Sequence, residues 1–430
     1  MTMTSTDLDQ ALEQARARYV AANPASAAAY EDARAVLPGG TTRSTVYYPP
    51  FPLTVRSGTG ARITDLDGHE YVDLLGEYTA GLYGHDHPVI RRAFEQALDA
   101  GWGYGAPGVG EAKLARVLCE RFPSIERVRF TNSGTEANLL ALATATTFTG
   151  RSSVLVFAGG YHGSVLSFGP DGRPLAIDVP HRWVVGSYND VAGTDELITQ
   201  HAHDLAAILV EPMLGSGGCV PGRPEFLELL RRRASEVGAL LILDEVMTSR
   251  MSGGGLQGRL GLRPDLTTLG KYVGGGMSSG AFGGRADVLD LYDGGGVPHA
   301  GTFNNNVFSM AAGYAGLTEL FAPAVADELF ARGEQLRSRL NEVSRPAAVQ
   351  WTGLGSIMTV HFQRTAITNA GDIDPAPERR ELFHLEMLHR GFYLARRGLV
   401  ALSLAIGADE CDRFIDAAGE VVRRLERMVS

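Results

Sequence analysis

Cysteine is scarce. Cys119, Cys219 and Cys411 are the only three in 430 residues, and they lie far apart in no pairing pattern. That spacing excludes a disulfide framework or a zinc module and points to a reducing, cytoplasmic setting. Basic charge is also short: 39 lysines and arginines stand against 49 aspartates and glutamates, a formal net charge of -10. The densest basic run, Arg231-Arg232-Arg233, follows the apolar FLELL and reads as the solvated end of a helix. No basic stripe exists to release counterions, so neither nucleic acid nor an anionic membrane is an expected partner. No run of about 18 apolar residues occurs, and no membrane span is expected. The N-terminal MTMTSTDLDQALEQARARYVAANP has neither a basic start nor an apolar centre, and reads as a short amphipathic helix. Repeats and low-complexity tracts are missing as well.

What is present is enough apolar sequence for more than one core. The expected division is a segment 1–75 belonging to a small domain, a large α/β domain over 76–318, and the rest of a small α+β domain over 319–430. Leu8 to Leu37 reads as helix, ended by Pro38-Gly39-Gly40. LTVRSGTGARITDLDGHEYVDLL alternates about the turn Asp67-Gly68 and predicts a β-meander. Beyond Glu111 helical and strand patterns alternate, as in a parallel sheet with crossover helices.

Several residues at the ends of these units have chemistry to offer. VRFTNSGTEANLLALATATTFTG predicts a strand, a small-residue turn and a helix, so Ser133, Gly134 and Thr135 would present free N–H groups and hydroxyls to an anion such as phosphate. An ordinary capped helix with Glu136 in its first turn explains the same residues equally well. Tyr161 and Glu211 follow apolar strands and would reach the carboxyl edge of the sheet, where ligands of open α/β sheets bind. GALLIL ends in Asp244, a carboxylate that needs a cation or donors at the mouth of a buried strand. Lys271, in TTLGKYVGGG, lies between an apolar run and a glycine cluster; a desolvated amine there would be nucleophilic, and a solvated surface lysine is the plainer reading. Arg43 lies among hydroxyls and aromatics in TTRSTVYYPPFP, as a carboxylate fork or as an exposed loop arginine. Tyr78, in the glycine- and aromatic-rich GEYTAGLYGHDHP, is a further substrate-side candidate, and His85 and His87 beside it read as loop histidines. Thr302 lies in a loop before a helix. Arg396-Arg397 is either an exposed pair or part of a second anion site.

Together NSGTEA, GGYHG, LDEVMTSR, TTLGKYVGGG and GTFNNN resemble the class III aminotransferases of fold type I, over nearly the whole chain. Within that family NPAS, PFPLT, EYTAGLYGH, ERFPSIERVRFTNSGTEAN and GTFNNNV are similar to the β-phenylalanine aminotransferases; the glutamate-1-semialdehyde aminomutases are the nearest competing subfamily. The resemblance implies a mostly parallel central sheet flanked by helices, pyridoxal 5'-phosphate as cofactor, and a homodimer. It implies Lys271 as the Schiff-base lysine and Asp244 as partner of the ring nitrogen. Tyr161 and Val246 would lie on the two ring faces, Ser133, Gly134 and Thr135 on the phosphate, and Glu211 near the cofactor. Thr302 would reach the phosphate of the partner subunit. Arg43 matches a carboxylate-binding arginine and Arg397 one in a second pocket. The implied reaction moves the amino group of a β-amino acid, with an aromatic one such as β-phenylalanine favoured, to 2-oxoglutarate or pyruvate. The competing expectations are an intramolecular aminomutase and, from another class, a non-catalytic protein that binds a phosphorylated ligand. FGPDGRPLAIDVPHRW and ARRG depart from the subfamily's pattern, which leaves the side-chain pocket open.

Overall fold

Buried runs rich in Leu, Ile and Val form the central strands of the larger sheet in the computed structural model, which describes residues 6–429. Its strands, in chain order, are β1 (Arg127–Thr131), β2 (Ser153–Phe157), β3 (Arg182–Gly186), β4 (Leu205–Val210), β5 (Leu240–Asp244), β6 (Leu266–Gly270) and β7 (Gly280–Gly284). They lie in the order β1-β7-β6-β5-β4-β2-β3. Every neighbouring pair is parallel except those of β7, which runs against both β6 and β1. The sheet is therefore mostly parallel, as expected. Strands β4 and β5 are buried along their whole length, so they carry no polar alternation. β7 reads GAFGG because its neighbours leave no room: a Cβ at Gly280 would lie 2.2 Å from the Ser133 carbonyl oxygen, and one at Gly284 2.1 Å from that of Asp265. Helix α1 (Gly134–Thr149) follows β1 directly.

The ends of the chain meet in smaller sheets. Strands Val55–Thr59, Arg62–Asp65 and Glu70–Asp73 form the expected antiparallel meander, and Phe392–Tyr393 joins it parallel to the third. Gln350–Leu354, Ile357–His361 and Leu399–Ala401 make a second antiparallel sheet. Trp351, Phe362, Phe383 and Phe414 pack edge to face beneath the helices Pro377–His389 and Ala408–Val429. The helix expected over 8–37 is two helices, Thr6–Ala22 and Pro24–Arg34. Pro24 lacks the amide that a continuous helix needs and instead begins the second one. The first five residues of the expected N-terminal helix lie outside the described residues.

Candidate active site

The parallel strands deliver their last residues to one edge of the sheet. Asp244 closes β5, 4% exposed. Its Oδ1 accepts from the Val246 amide at 2.9 Å, and its Oδ2 accepts from Asn138 Nδ2 and His162 Nδ1, each at 2.8 Å. Asn138 lies on α1, four residues after Gly134 and so on the same face; its Oδ1 accepts from Thr268 Oγ1 at 2.8 Å. Sequence reading assigned no role to Asn138, His162 or Thr268. Asn138 and His162 stand inside the motifs NSGTEAN and GGYHG, and the i,i+4 spacing on α1 was the available signal.

Glu211 follows β4, with its carboxylate accepting from the amides of Tyr161 and Gly215, both at 2.9 Å. Burial raises its proton affinity to about 7; the nearby His162 opposes the shift and Asp244 adds to it.

Lys271 follows β6 with a left-handed φ of 60°. Burial lowers its ammonium to about 8, the field of Arg397 lowers it further, and Asp244 and Glu211 pull the other way. Nζ donates to the Tyr78 carbonyl oxygen at 2.5 Å. That carbonyl belongs to a run of four left-handed residues, Gly76, Glu77, Tyr78 and Thr79, of which only the first is glycine. Such backbone persists where surrounding contacts impose it.

All the predicted site residues except Ser133 and Thr302 line a single cavity of about 330 Å³. Lys271, Asp244, Val246, Tyr161 and the Gly134-Thr135 start of α1 line it together with Arg43, Tyr78 and Arg397. Arg43 pairs with Glu77, and both are half-exposed. The guanidinium carbons of Arg43 and Arg397 lie 5.9 and 5.2 Å from the Tyr78 ring centroid. A second chamber of about 350 Å³ shares Tyr161, Ser216 and Arg397 with the first; Arg380 and His361 line it, and among the described residues no acidic one does. The Arg396-Arg397 pair is thus divided: Arg396 pairs with Glu381 at 3.6 Å, and Arg397 faces the cavity. Ser133 is the N-cap of α1, its Oγ accepting from the Glu136 amide at 3.2 Å. Thr302 is exposed on the loop before the helix Val307–Ala315, which Asn304 ties to Asn132. His85 bonds Asp73, and His87 caps the helix Pro88–Ala100.

Pyridoxal phosphate needs a poorly solvated amine, a fixed carboxylate, room for a flat ring and an anion site. Lys271, Asp244 and the cavity meet the first three needs. At the start of α1 the backbone stays bare for the fourth: a Cβ at Gly134 would meet Val246 Cγ2 at 2.8 Å, and one at Gly163 would meet Thr135 Oγ1 at 2.3 Å. The residues present fit the group.

A sequence profile described as aminotransferase class-III matches residues 44–169 and 188–421. The beta-phenylalanine transaminase of Variovorax paradoxus is 50% identical over 425 residues, covering 98% of both chains. The crystal structure of the beta-phenylalanine aminotransferase from that organism superposes with a TM-score of 0.95, at 49% identity over 97% of this chain and 98% of that one. An omega-transaminase from Sphaerobacter thermophilus gives a TM-score of 0.87, at 39% identity over 93% and 97%. A glutamate-1-semialdehyde-aminomutase from Pseudomonas aeruginosa shares the fold, with a TM-score of 0.89 at 24% identity over 99% and 100%.

Proposed function

Because this chain belongs to the class III aminotransferases, a pyridoxal phosphate-dependent family of enzymes, we propose that it moves the amino group of a β-amino acid, an aromatic one such as β-phenylalanine favoured, to 2-oxoglutarate or pyruvate. The observation that carries this reading is the single cavity in which Lys271, Asp244 and the start of α1 meet Arg43 and Arg397. The half-identical relative named for β-phenylalanine supports the choice of donor.

When bound, pyridoxal phosphate supplies an electron sink for the carbon that bears the amine. The chain does the rest. Lys271 Nζ would anchor the cofactor and would move the proton at that carbon; burial lowers its proton affinity to about 8, which favours the neutral amine more than in a solvated lysine. Asp244, fixed by Asn138, His162 and the Val246 amide, holds the ring nitrogen in its protonated form. Tyr161 and Val246 would bound the ring, and Gly134 and Thr135, with Ser133 as the helix N-cap beside them, would hold the phosphate at the helix N-terminus. Glu211 fixes the Tyr161 amide.

A β-amino acid carries its amine one carbon farther from the carboxylate than an α-amino acid does, so its anchor lies toward the cavity mouth. Arg43 is that anchor. Its exposed pair with Glu77 is weak enough for a substrate carboxylate to displace. Arg397, with Arg380 in the acid-free chamber beyond it, receives the acceptor's carboxylate. Tyr78 lies against both arginines. The donor leaves as a β-keto acid and the acceptor leaves as an α-amino acid, so nitrogen is conserved over the two half-reactions.

Thr302 lies outside its own cavity, on a loop whose neighbour Phe303 is 65% exposed. A second copy of the chain would cover that loop and take Thr302 to its own phosphate site, making the enzyme a homodimer. Three free cysteines suit a cytoplasmic setting.

The test is a half-reaction. β-Phenylalanine enantiomers and aliphatic β-amino acids are mixed with the loaded enzyme, and the cofactor's visible band is followed. A shift with a β-amino acid, reversed by 2-oxoglutarate or pyruvate, supports the assignment. Response to α-amino acids alone would overturn it, and repeated turnover without acceptor to an isomeric amino compound would point to an aminomutase.

A further inference from the structure

Arg250 takes no part in the mechanism above, yet it is the largest completely buried side chain, 1% exposed. It has no acidic partner among the described residues. Its Nη1 donates to the Thr79 carbonyl oxygen at 3.3 Å, its Nη2 donates to that of Leu402, and its Nε is buried with no partner. Tyr83 and Tyr272 lie close enough for their phenols to influence it, but burial holds both phenols in their neutral form, so neither supplies a charge. An arginine does not shed its proton to escape burial, so this cation is held by peptide dipoles alone. Such an arrangement is expensive and is kept where it holds something in place.

The two carbonyls show what is held. Thr79 ends the left-handed run 76–79, which carries Glu77 against Arg43, the Tyr78 ring against Arg43 and Arg397, and the Tyr78 carbonyl against Lys271. Leu402 directly follows the strand Leu399–Ala401, and Arg397 stands just before that strand. Arg250 itself lies on the short helical turn Thr248–Met251 that follows β5 and Asp244.

We propose that Arg250 is a positioning residue, a buried clamp that ties the loop bearing Tyr78 and the segment bearing Arg397 to the element bearing Asp244, and so sets the distance between the substrate arginines and Lys271. This rests on the reading of Lys271 as the cofactor-bearing lysine. The guanidinium fork suits the task because it reaches two carbonyls in fixed directions, which an ammonium cannot do. Removing it frees a strained loop to relax, and water then reaches Lys271. Loss of burial and loss of a repelling cation both raise the proton affinity of that amine.

The experiment uses Arg250→Met and Arg250→Lys. Competitive labelling of Lys271 with an amine reagent across pH, in protein stripped of cofactor and read by mass spectrometry, gives its titration midpoint. Steady-state kinetics of the loaded enzyme give KM and kcat for the β-amino acid donor. In Arg250→Met the midpoint should rise by about half a unit or more, and KM should rise about tenfold with a smaller change in kcat. In Arg250→Lys, which keeps the charge but not the fork, the midpoint should stay nearer the wild-type value while KM still rises. A folded Arg250→Met with wild-type midpoint and KM would overturn the proposal. If that variant does not fold, a wild-type KM in Arg250→Lys overturns it equally. Borohydride fixation and peptide mapping of the wild-type enzyme separate the two ways of failing. Cofactor on a different lysine sinks the site reading and this inference together, whereas cofactor on Lys271 with unaltered variants sinks the clamp alone.

Discussion

Asp244 is a buried carboxylate with Asn138 and His162 on one oxygen and the Val246 amide on the other, and among the described residues no lysine or arginine bonds it. That leaves its charge available to a ligand cation. Asp244→Asn keeps the shape and removes the charge, so kcat should fall about 100-fold or more, a loss typical of removing a preorganised electrostatic partner; single-turnover absorbance measures it. His384 shows the opposite treatment of a titratable group. It is buried with both ring nitrogens unpartnered, and burial lowers its proton affinity to about 3 from 6.5. The unfolded chain takes up a proton below pH 6.5 and the folded chain does not until about 3, so the stability present above 6.5 is lost as the pH falls through that window. His384→Phe should remove this part of the acid sensitivity, worth about 2 kcal/mol between pH 7.5 and 5. Urea midpoints of wild type and variant at both pH values test it. The contributions of His361 and Glu211 cancel in the difference.

At the level of elements, β7 is the piece that sequence periodicity describes least well. GAFGG has three glycines in five residues and no alternation, yet it is a fully buried antiparallel strand between β1 and β6. Its glycines let the Ser133 carbonyl, at the start of α1, come within contact distance of the sheet. Gly280→Ala should therefore strain the N-terminus of α1, destabilise the protein by about 1–3 kcal/mol, and loosen the cofactor phosphate. Unfolding midpoints and cofactor retention on dialysis would show both, and unchanged values in both would refute the account. The strand-turn-helix unit 127–149 was legible because apolar strand, cap and helix are local signals. The break at Pro24 was missed, because the alanine-rich pattern on either side of it masked the proline.

For the whole molecule, the exposed apolar side chains Trp102 and Phe303, at 63% and 65%, stand near Phe308. Exposed apolar patches of this kind mark association surfaces. The proposed second copy would cover them, so Phe303→Asp should shift sedimentation toward the monomer and weaken cofactor retention by removing Thr302 from the partner's site. A wild-type protein that sediments as a monomer at micromolar concentration would contradict this. By itself the sequence determined the chemistry on offer: an amine after β6, a carboxylate after β5 and a small-residue turn before α1, each fixed by neighbours in the chain. Only the tertiary structure decided what those groups meet. Lys271 and Tyr78 are 193 residues apart, and Asp244 and Asn138 are 106 apart. Contacts of that reach depend on which strand lies beside which and on how a strained loop is held, and no local pattern of residues encodes either.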